Sequence, residues 1–230
     1  NILTYELAYE FIPKGFYLYA CKEIEPNGKY YLREKKIDFI FVDTDSYAQN
    51  LEASINALRD SSKNEKVKII IMSSQKEPNF LKKVQELAVS GFILKTLNSS
   101  QLISKIHEIL NRLGVKATER RKQITCKVDD NDKFKINIKI PTNNETIAAT
   151  LTELGVGSAN FTVDNKNILN SFAMHMVLKD IQLNLRGKYL LIDGTVSAVK
   201  DDEIAVRFTA LKEKFVQILS EVVFEKISAF

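Results

Sequence analysis

The sequence has no tryptophan, two cysteines, two histidines and no long hydrophobic run. Cys21 and Cys126 lie far apart without a CxxC pair, so no disulfide framework is expected and a reducing cytosol is the compartment that fits best. His107 and His175 have no cysteine partners nearby, which argues against a zinc site. No apolar run approaches the roughly 20 residues of a membrane-spanning helix, and no signal peptide is visible.

Charge of neither sign is in large excess, because 33 Lys and Arg residues face 29 Asp and Glu residues, for a net charge of +4. An excess this small does not by itself indicate a nucleic-acid polymer as partner, and we expect none. The 230 residues are 45% hydrophobic, which suffices for two small domains. No pattern indicates a hydrolase, a redox enzyme or a metalloenzyme, so we expect no catalytic residue, metal or cofactor.

The first half of the chain alternates compact apolar runs with amphipathic helical patterns. Polar residues close three of the runs, which is typical of strands buried in a parallel sheet. We therefore predict neighbouring parallel strands at residues 37–43, 67–73 and 91–95. Residues 16–24 alternate like a strand, and helices are predicted at residues 2–12, 30–36, 51–58, 80–89 and 99–113, the last capped by Ser99 and Ser100. This order predicts an α/β domain.

Chemistry in such sheets gathers at the carboxyl ends of the strands. Asp43, Ser73 and Lys95 are predicted to meet there. The carboxylate could accept a phosphoryl group, the hydroxyl could hydrogen-bond to it, and the ammonium could pair with its charge. The alternative is that all three are ordinary strand ends in an inert domain.

The spacing of Asp43, Ser73 and Lys95 resembles the response-regulator receiver domain, which has a flavodoxin-like fold, over about residues 1–115. The family usually has proline after the lysine, where this chain has Thr96. Thr44-Asp45-Ser46 replaces the usual Met-Pro turn. The family's first strand and acidic magnesium-binding pair should precede the first helix, and this chain is expected to begin inside that helix. Without that pair, we expect Asp43 to hold no stable acyl phosphate.

The second half reads as short strands with turn residues between them, which predicts a small antiparallel barrel followed by a helix. One long alternating run changes phase near Lys179 and Asp180. Residues 165–170 read as a polar loop. The strands are predicted at residues 122–128, 133–140, 146–154, 159–163, 175–185, 189–199 and 204–208, and the helix at residues 211–227.

Two features of this half suit an anionic ligand. Arg120 and Arg121 place two guanidinium forks where the barrel begins, and such forks match a phosphate or a guanine edge. Gly155 and Gly157 would let backbone amides approach a ligand closely. The alternatives are a solvated basic linker and a plain hairpin turn.

The order of these segments resembles the PilZ domain, the bacterial receptor module for cyclic di-GMP, over about residues 117–230. The resemblance rests on the segments 119–121, 153–159, 192–196 and 204–208 and on the terminal helix. It implies Arg120, Arg121, Glu153, Gly155 and Ser158 as ligand-binding residues, with the arginines on phosphates and guanines. The family motif is Arg-x-x-x-Arg followed by Asp/Asn-x-Ser-x-x-Gly. Here Thr125 stands at the second arginine, and Gly155 and Ser158 replace the motif's serine and last glycine.

Together the two resemblances predict a bacterial cytosolic signalling protein with a receiver-like domain at residues 1–115 and a PilZ-like barrel at residues 116–230. The first hypothesis is a cyclic di-GMP receptor. The second is an adaptor that binds protein partners and not the nucleotide. The third is a switch controlled by phosphorylation of Asp43.

Overall fold

The computed structural model describes residues 2–22, 28–45, 50–96, 98–115 and 124–228. The chain forms two compact units. One is Tyr19–Lys116, called here the α/β unit, and the other joins Asn1–Leu18 to Ala117–Phe230 and is called the barrel unit. The units differ from the predicted domains 1–115 and 116–230 in the first 18 residues, which belong with the barrel.

The α/β unit contains one sheet of three parallel strands in the order β1-β2-β3, with Phe39 opposite Lys68 and Ile70 opposite Gly91. The prediction of three neighbouring parallel strands is therefore confirmed. The predicted strand at residues 16–24 is wrong for residues 16–22, which are irregular, and its last two residues lie outside the described ranges. The elements are α2 (Lys29–Glu34), β1 (Phe39–Asp43), α3 (Leu51–Ser61), β2 (Lys68–Ser73), α4 (Pro78–Glu86), β3 (Gly91–Leu94) and α5 (Ser99–Arg112).

Helices of the α/β unit begin at side-chain caps and bury apolar residues against the sheet. Asn98, not the predicted serines, caps α5: its side chain accepts from the Gln101 N–H, and the Gln101 side chain accepts from the Asn98 N–H. A further core cluster of fully buried residues joins α2, β1, α3, β2 and α4, namely Leu32, Val42, Ile55, Leu58, Ile69, Ile71 and Val84.

The barrel unit contains six antiparallel strands in the order β6-β5-β8-β9-β10-β7, and β7 pairs with β6 to close the barrel. A further short strand, β4, pairs with the last three residues of β6. The predicted antiparallel barrel with a terminal helix is confirmed, whereas part of the predicted loop at residues 165–170 is the helix α6. The elements are β4 (Thr125–Lys127), β5 (Lys135–Lys139), β6 (Thr146–Gly155), β7 (Ser158–Thr162), α6 (Lys166–Leu169), β8 (Val177–Leu185), β9 (Lys188–Lys200), β10 (Glu203–Thr209) and α7 (Glu213–Ile227).

The predicted phase change in β8 is a bulge between Leu178 and Ile181. Asp180 has a φ of 54°, and its N–H donates to the Asp193 carboxylate at 3.1 Å. The extra residues return the strand to its inward phase, so that both Leu178 and Ile181 are fully buried.

The helix α1 (Ile2–Phe11) packs against α7 in the barrel unit. The Tyr5 ring meets Phe224 edge-on at 5.8 Å between centroids, and the Tyr5 hydroxyl donates to Glu225 at 3.1 Å. The expectation that the chain begins in the first helix of a receiver-like domain is corrected here, because α1 belongs to the barrel unit. Among the described residues, no helix combines the length and apolar character that crossing a bilayer requires.

A group of charged residues, the α7 ion cluster, ties α7 to the barrel. Asp132 is 4% exposed and accepts from the Asp129 N–H and the Lys226 ammonium, both at 2.8 Å. Lys226 also donates to Asp129 at 3.0 Å, and Arg186 lies between Asp132 and Glu225 at 3.5 and 2.9 Å. The buried carboxylate is thus paired on all sides, as a buried charge must be.

Candidate functional site

The residues implied by the PilZ resemblance lie around the hairpin of β6 and β7. Arg120 and Arg121 lie outside the described residues. Glu153 and Gly155 end β6, and Ser158 begins β7. Chain connectivity brings the arginine-bearing segment to this place, since β4 begins at Thr125, which pairs with Gly155.

Strand alternation sorts the residues around this hairpin into two sets. Cys126, Leu154, Ala159 and Val206 are buried in the barrel. Their neighbours in sequence point outward and form a polar surface, called here the hairpin face: Thr125, Lys127, Glu153, Gly155, Ser158, Asn160 and Arg207.

Gly155 is covered by the chain itself. A Cβ placed on it would lie 2.8 Å from the Ile124 carbonyl oxygen and 3.0 Å from the Thr125 methyl group. The glycine therefore makes room for the start of β4, which corrects the expectation that its amide is open to a ligand. The family's serine does not fit at this position while β4 keeps its place.

We expect Gly155→Ser to lower the free energy of unfolding by about 1–3 kcal/mol, because the new side chain must push the backbone of Ile124 aside. Urea unfolding of the full chain measures the loss. Ala148→Ser is the matched control, since Ala148 is an exposed residue of the same strand. A Gly155→Ser protein as stable as the control would contradict the covered geometry.

Glu153 lies in a half-buried hydrogen-bond network. The Asn160 amide donates to Glu153 and to Glu203, each at 3.4 Å, and the Thr152 hydroxyl donates to Glu203 at 2.6 Å. The network holds Glu153 beside Lys127, its partner across β4 and β6. Glu153 is therefore positioned as an acceptor on the hairpin face.

Arg207 is a member of the hairpin face that the sequence interpretation gave no role. It is exposed, and it pairs with Ser158 on β7 and with Thr195 on β9. Within the described ranges, its guanidinium forms no ion pair and the Ser158 hydroxyl has no hydrogen-bond partner. Alternation of Ile204, Val206 and Phe208 could have shown that Arg207 points outward, but not that it stands beside Ser158.

The second predicted group lies at the carboxyl edge of the parallel sheet. The Lys95 ammonium donates to Asp43 at 2.7 Å, so these two residues meet as predicted. The Ser73 hydroxyl has a different partner: it donates to Asp45 at 2.7 Å. Asp45 also accepts from the Ser74 N–H at 2.8 Å and contacts Lys95 at 3.0 Å. The sequence interpretation missed Asp45, although a second acid two residues after Asp43 was a visible signal.

These contacts change the acidity of the group. Burial raises the pKa of the Asp45 carboxyl, but hydrogen bonds from the Ser74 N–H, the Ser73 hydroxyl and the Lys95 ammonium outweigh it and lower that pKa from 3.8 to about 2. Burial lowers the pKa of Lys95, and the hydrogen bonds to Asp43 and Asp45 raise it above its usual value. Asp45 and Lys95 are therefore both charged at neutral pH.

The lowered pKa predicts a pH dependence of stability. A carboxyl whose pKa is depressed by folding stabilises the protein above its unfolded pKa, near 3.8, and this contribution is lost as the pH falls through about 2. We expect about 1 kcal/mol at neutral pH, because solvent screens a side chain that is 27% exposed. The free energy of unfolding of wild type and Asp45→Ala, measured from pH 7 down to pH 3, checks it.

The difference between the two proteins should be constant above pH 5 and should shrink below pH 4. Asp60→Ala is the control, because Asp60 is an exposed residue of α3. A difference that persists undiminished at pH 3 would contradict the prediction. No cluster of three or more metal-ligating side chains occurs among the residues that the structure describes.

No family model matches the sequence, and no curated protein matches it significantly. Solved structures do match, over the barrel part of the chain. The PilZ domain of YcgR from Escherichia coli with c-di-GMP is 14% identical with a TM-score of 0.41, over 47% of this chain and 92% of that one. MrkH of K. pneumonia in its apo state is 14% identical with a TM-score of 0.42, over 49% and 52% of the two chains.

The complex of MrkH with c-di-GMP is also 14% identical, with a TM-score of 0.38, over 46% of this chain and 52% of that one. The matched region thus spans about half the length of the MrkH chains. Identities and TM-scores this low carry no argument about function, which has to come from this chain's own side chains.

Proposed function

We propose that the barrel unit is a PilZ-type module that binds cyclic di-GMP on the hairpin face. The observation that carries the proposal is the meeting of Arg207 and Ser158 on the same outer face that receives the start of β4. Arg121 precedes Ile124 by three residues, and three residues of chain span at most about 11 Å. Three guanidinium groups are therefore available to one surface.

The chemistry of this face suits a cyclic dinucleotide. Its two phosphates are anionic, and arginine forks bind phosphate oxygens bidentately. The Ser158 hydroxyl and the Glu153 carboxylate can hydrogen-bond to base edges, and Glu153 is held in place by Asn160. Thr125 supplies no charge where the family has an arginine, so we expect weaker binding than a full motif would give, by about 3 kcal/mol for two lost polar contacts.

Calorimetric titration of the full chain with cyclic di-GMP tests the proposal. We expect a saturable binding isotherm that weakens as salt is raised, since phosphate contacts are screened. Arg207→Ala should weaken the affinity by about tenfold or more, as the loss of one charge-assisted contact requires. Lys139→Ala is the control, because Lys139 is an exposed cation at the far end of the barrel strands. Equal affinities for wild type and Arg207→Ala would place the ligand elsewhere.

The second candidate function is that of an adaptor for protein partners. It is favoured by Gly155, whose position under Ile124 leaves no room for the serine of the family motif. Tyr189 and Leu191 add two large apolar side chains to the outer face of β9, exposed by 77% and 52%. An absence of binding heat at about 1 mM cyclic di-GMP, a concentration that would detect even a millimolar dissociation constant, would favour this candidate.

We further infer that the α/β unit is a receiver-like signalling module, on the strength of its strand order and of the Asp43–Lys95 pair at the carboxyl edge. Control through phosphorylation of Asp43 is the third alternative. Incubation with acetyl phosphate and magnesium followed by intact mass measurement tests it, and we expect no added phosphate.

A further inference from the structure

Three hydrogen-bond donors at the edge of the parallel sheet converge on one carboxylate. The Ser73 hydroxyl and the Ser74 N–H both donate to Asp45 Oδ1, at 2.7 and 2.8 Å. The Lys95 ammonium lies 3.0 Å from Asp45 Oδ2. A hydroxyl, a backbone amide and an ammonium group pointing at one centre are the donors with which proteins bind oxyanions.

This arrangement is built into the fold and is more than a surface ion pair. Ser73 is fully buried, and its oxygen also accepts from the Gln75 N–H at 3.2 Å, so its hydroxyl hydrogen is directed to Asp45. Lys95 follows β3, and its own N–H is bonded to the Ser73 carbonyl at 2.8 Å. Two adjacent strand ends thus fix the donors, at the edge where parallel sheets bind ligands.

The acceptor is fixed as well. The buried Thr44 donates its N–H to the Met72 carbonyl at 3.0 Å, and the Asp45 N–H donates to Asp43 Oδ1 at 3.2 Å. The charged groups that face Asp45 are Lys95 and Asp43, and the ammonium lies between the two carboxylates. Replacing Asp45 with a neutral residue would leave the Lys95–Asp43 pair and the two uncharged donors in place.

We propose that Ser73, Ser74 and Lys95 form a receptor for one small oxyanion, and that Asp45 is its resident ligand. The chain then supplies its own anion, and the sheet edge stays in its anion-occupied state without modification of Asp43. An external phosphate or carboxylate competes with Asp45 for the same three donors. The proposal concerns the α/β unit and does not depend on any ligand of the barrel.

The test is chemical rescue of Asp45→Ala in the full chain. Inorganic phosphate and acetate are titrated into wild type and variant, with the amide proton resonance of Ser74 and the thermal midpoint as readouts. In Asp45→Ala the resonance should shift saturably with either anion, and the midpoint should rise by several degrees toward that of wild type. Wild type should show neither change, because its receptor is filled. Asp60→Ala, a matched acid on α3, should behave like wild type.

A second substitution identifies the donors. In the Asp45→Ala background, Lys95→Met should weaken the phosphate-induced shift at least tenfold. If Asp45→Ala does not fold, Asp45→Asn takes its place, since the amide keeps an acceptor but not the charge, and it should still bind phosphate more tightly than wild type does.

Two results would overturn the proposal. One is an equal response, or no response, of wild type and the folded variant to both anions. The other is a stoichiometric acyl phosphate on wild type after treatment with acetyl phosphate, lost in Asp43→Asn, since Asp45 would then give up the donors to a phosphoryl group. Failure of cyclic di-GMP binding would affect neither reading.

Discussion

Replacing Asp132 with alanine is expected to lower the free energy of unfolding of the barrel unit by about 3 kcal/mol, the largest stability effect that we predict. Asp132 is 4% exposed and accepts from Lys226 and from the Asp129 N–H. Its removal leaves the Lys226 ammonium, which is only 19% exposed, with the exposed Asp129 as its remaining partner. A poorly compensated charge near the core costs more than the hydrogen bond itself contributes.

Urea unfolding, followed by a probe in the barrel, measures the effect. Asp130→Ala is the matched control, because Asp130 is an exposed acid of the same turn. Asp132→Asn should lose less than Asp132→Ala, since it keeps an acceptor for the Asp129 N–H. An Asp132→Ala protein as stable as the control would mean that the α7 ion cluster does not anchor the helix.

The second large effect is expected on ligand affinity. If the hairpin face binds cyclic di-GMP, the double variant Arg120→Ala/Arg121→Ala should bind about 100-fold more weakly or worse. Each lost charge-assisted contact removes about 1.5–3 kcal/mol, and about 1.4 kcal/mol is a factor of ten. Calorimetry on wild type, on each single variant and on the double variant measures it, with Lys139→Ala as the control. Affinity that the double variant leaves unchanged would rule out this site.

A gain-of-affinity variant makes the same point from the other side. Thr125→Arg restores the second arginine of the family motif and points from β4 onto the hairpin face. It should tighten binding by about tenfold. Gly155→Ser would also restore the motif, but its clash with Ile124 makes it unsuitable for this purpose. If Thr125→Arg leaves the isotherm unchanged, the adaptor is the better description of the barrel.

Much of the fold could be predicted because its signals are local. Alternation identified the strands of the barrel, including the bulge near Asp180, and compact apolar runs identified the parallel sheet. The partner of α1 could not be predicted in this way. An amphipathic helix announces that it will be covered but not by what, and Tyr5 meets Glu225 from 220 residues away.

The site residues show the same division. The apolar runs predicted that Asp43 and Lys95 would meet, because carboxyl ends of parallel strands share an edge. They could not predict that the Ser73 hydroxyl would turn to Asp45, since that depends on a competition between two carboxylates over less than 1 Å. Gly155 was misinterpreted because its need for space arises from the register of β4 on β6, which no short-range pattern encodes.

The placement of α1 has a consequence for how the protein can be divided. The barrel unit is discontinuous in sequence, and the α/β unit is an insertion in it, connected at both of its ends. A fragment that starts at residue 117 loses α1 together with the α/β unit and uncovers the side of α7 on which Tyr5 packs. Two covalent tethers also restrict the inserted unit more than one would. Any ligand held by Arg120 and Arg121 acts on the second tether alone, so its effect on the inserted unit must be a change of leverage between a fixed connection and an adjustable one.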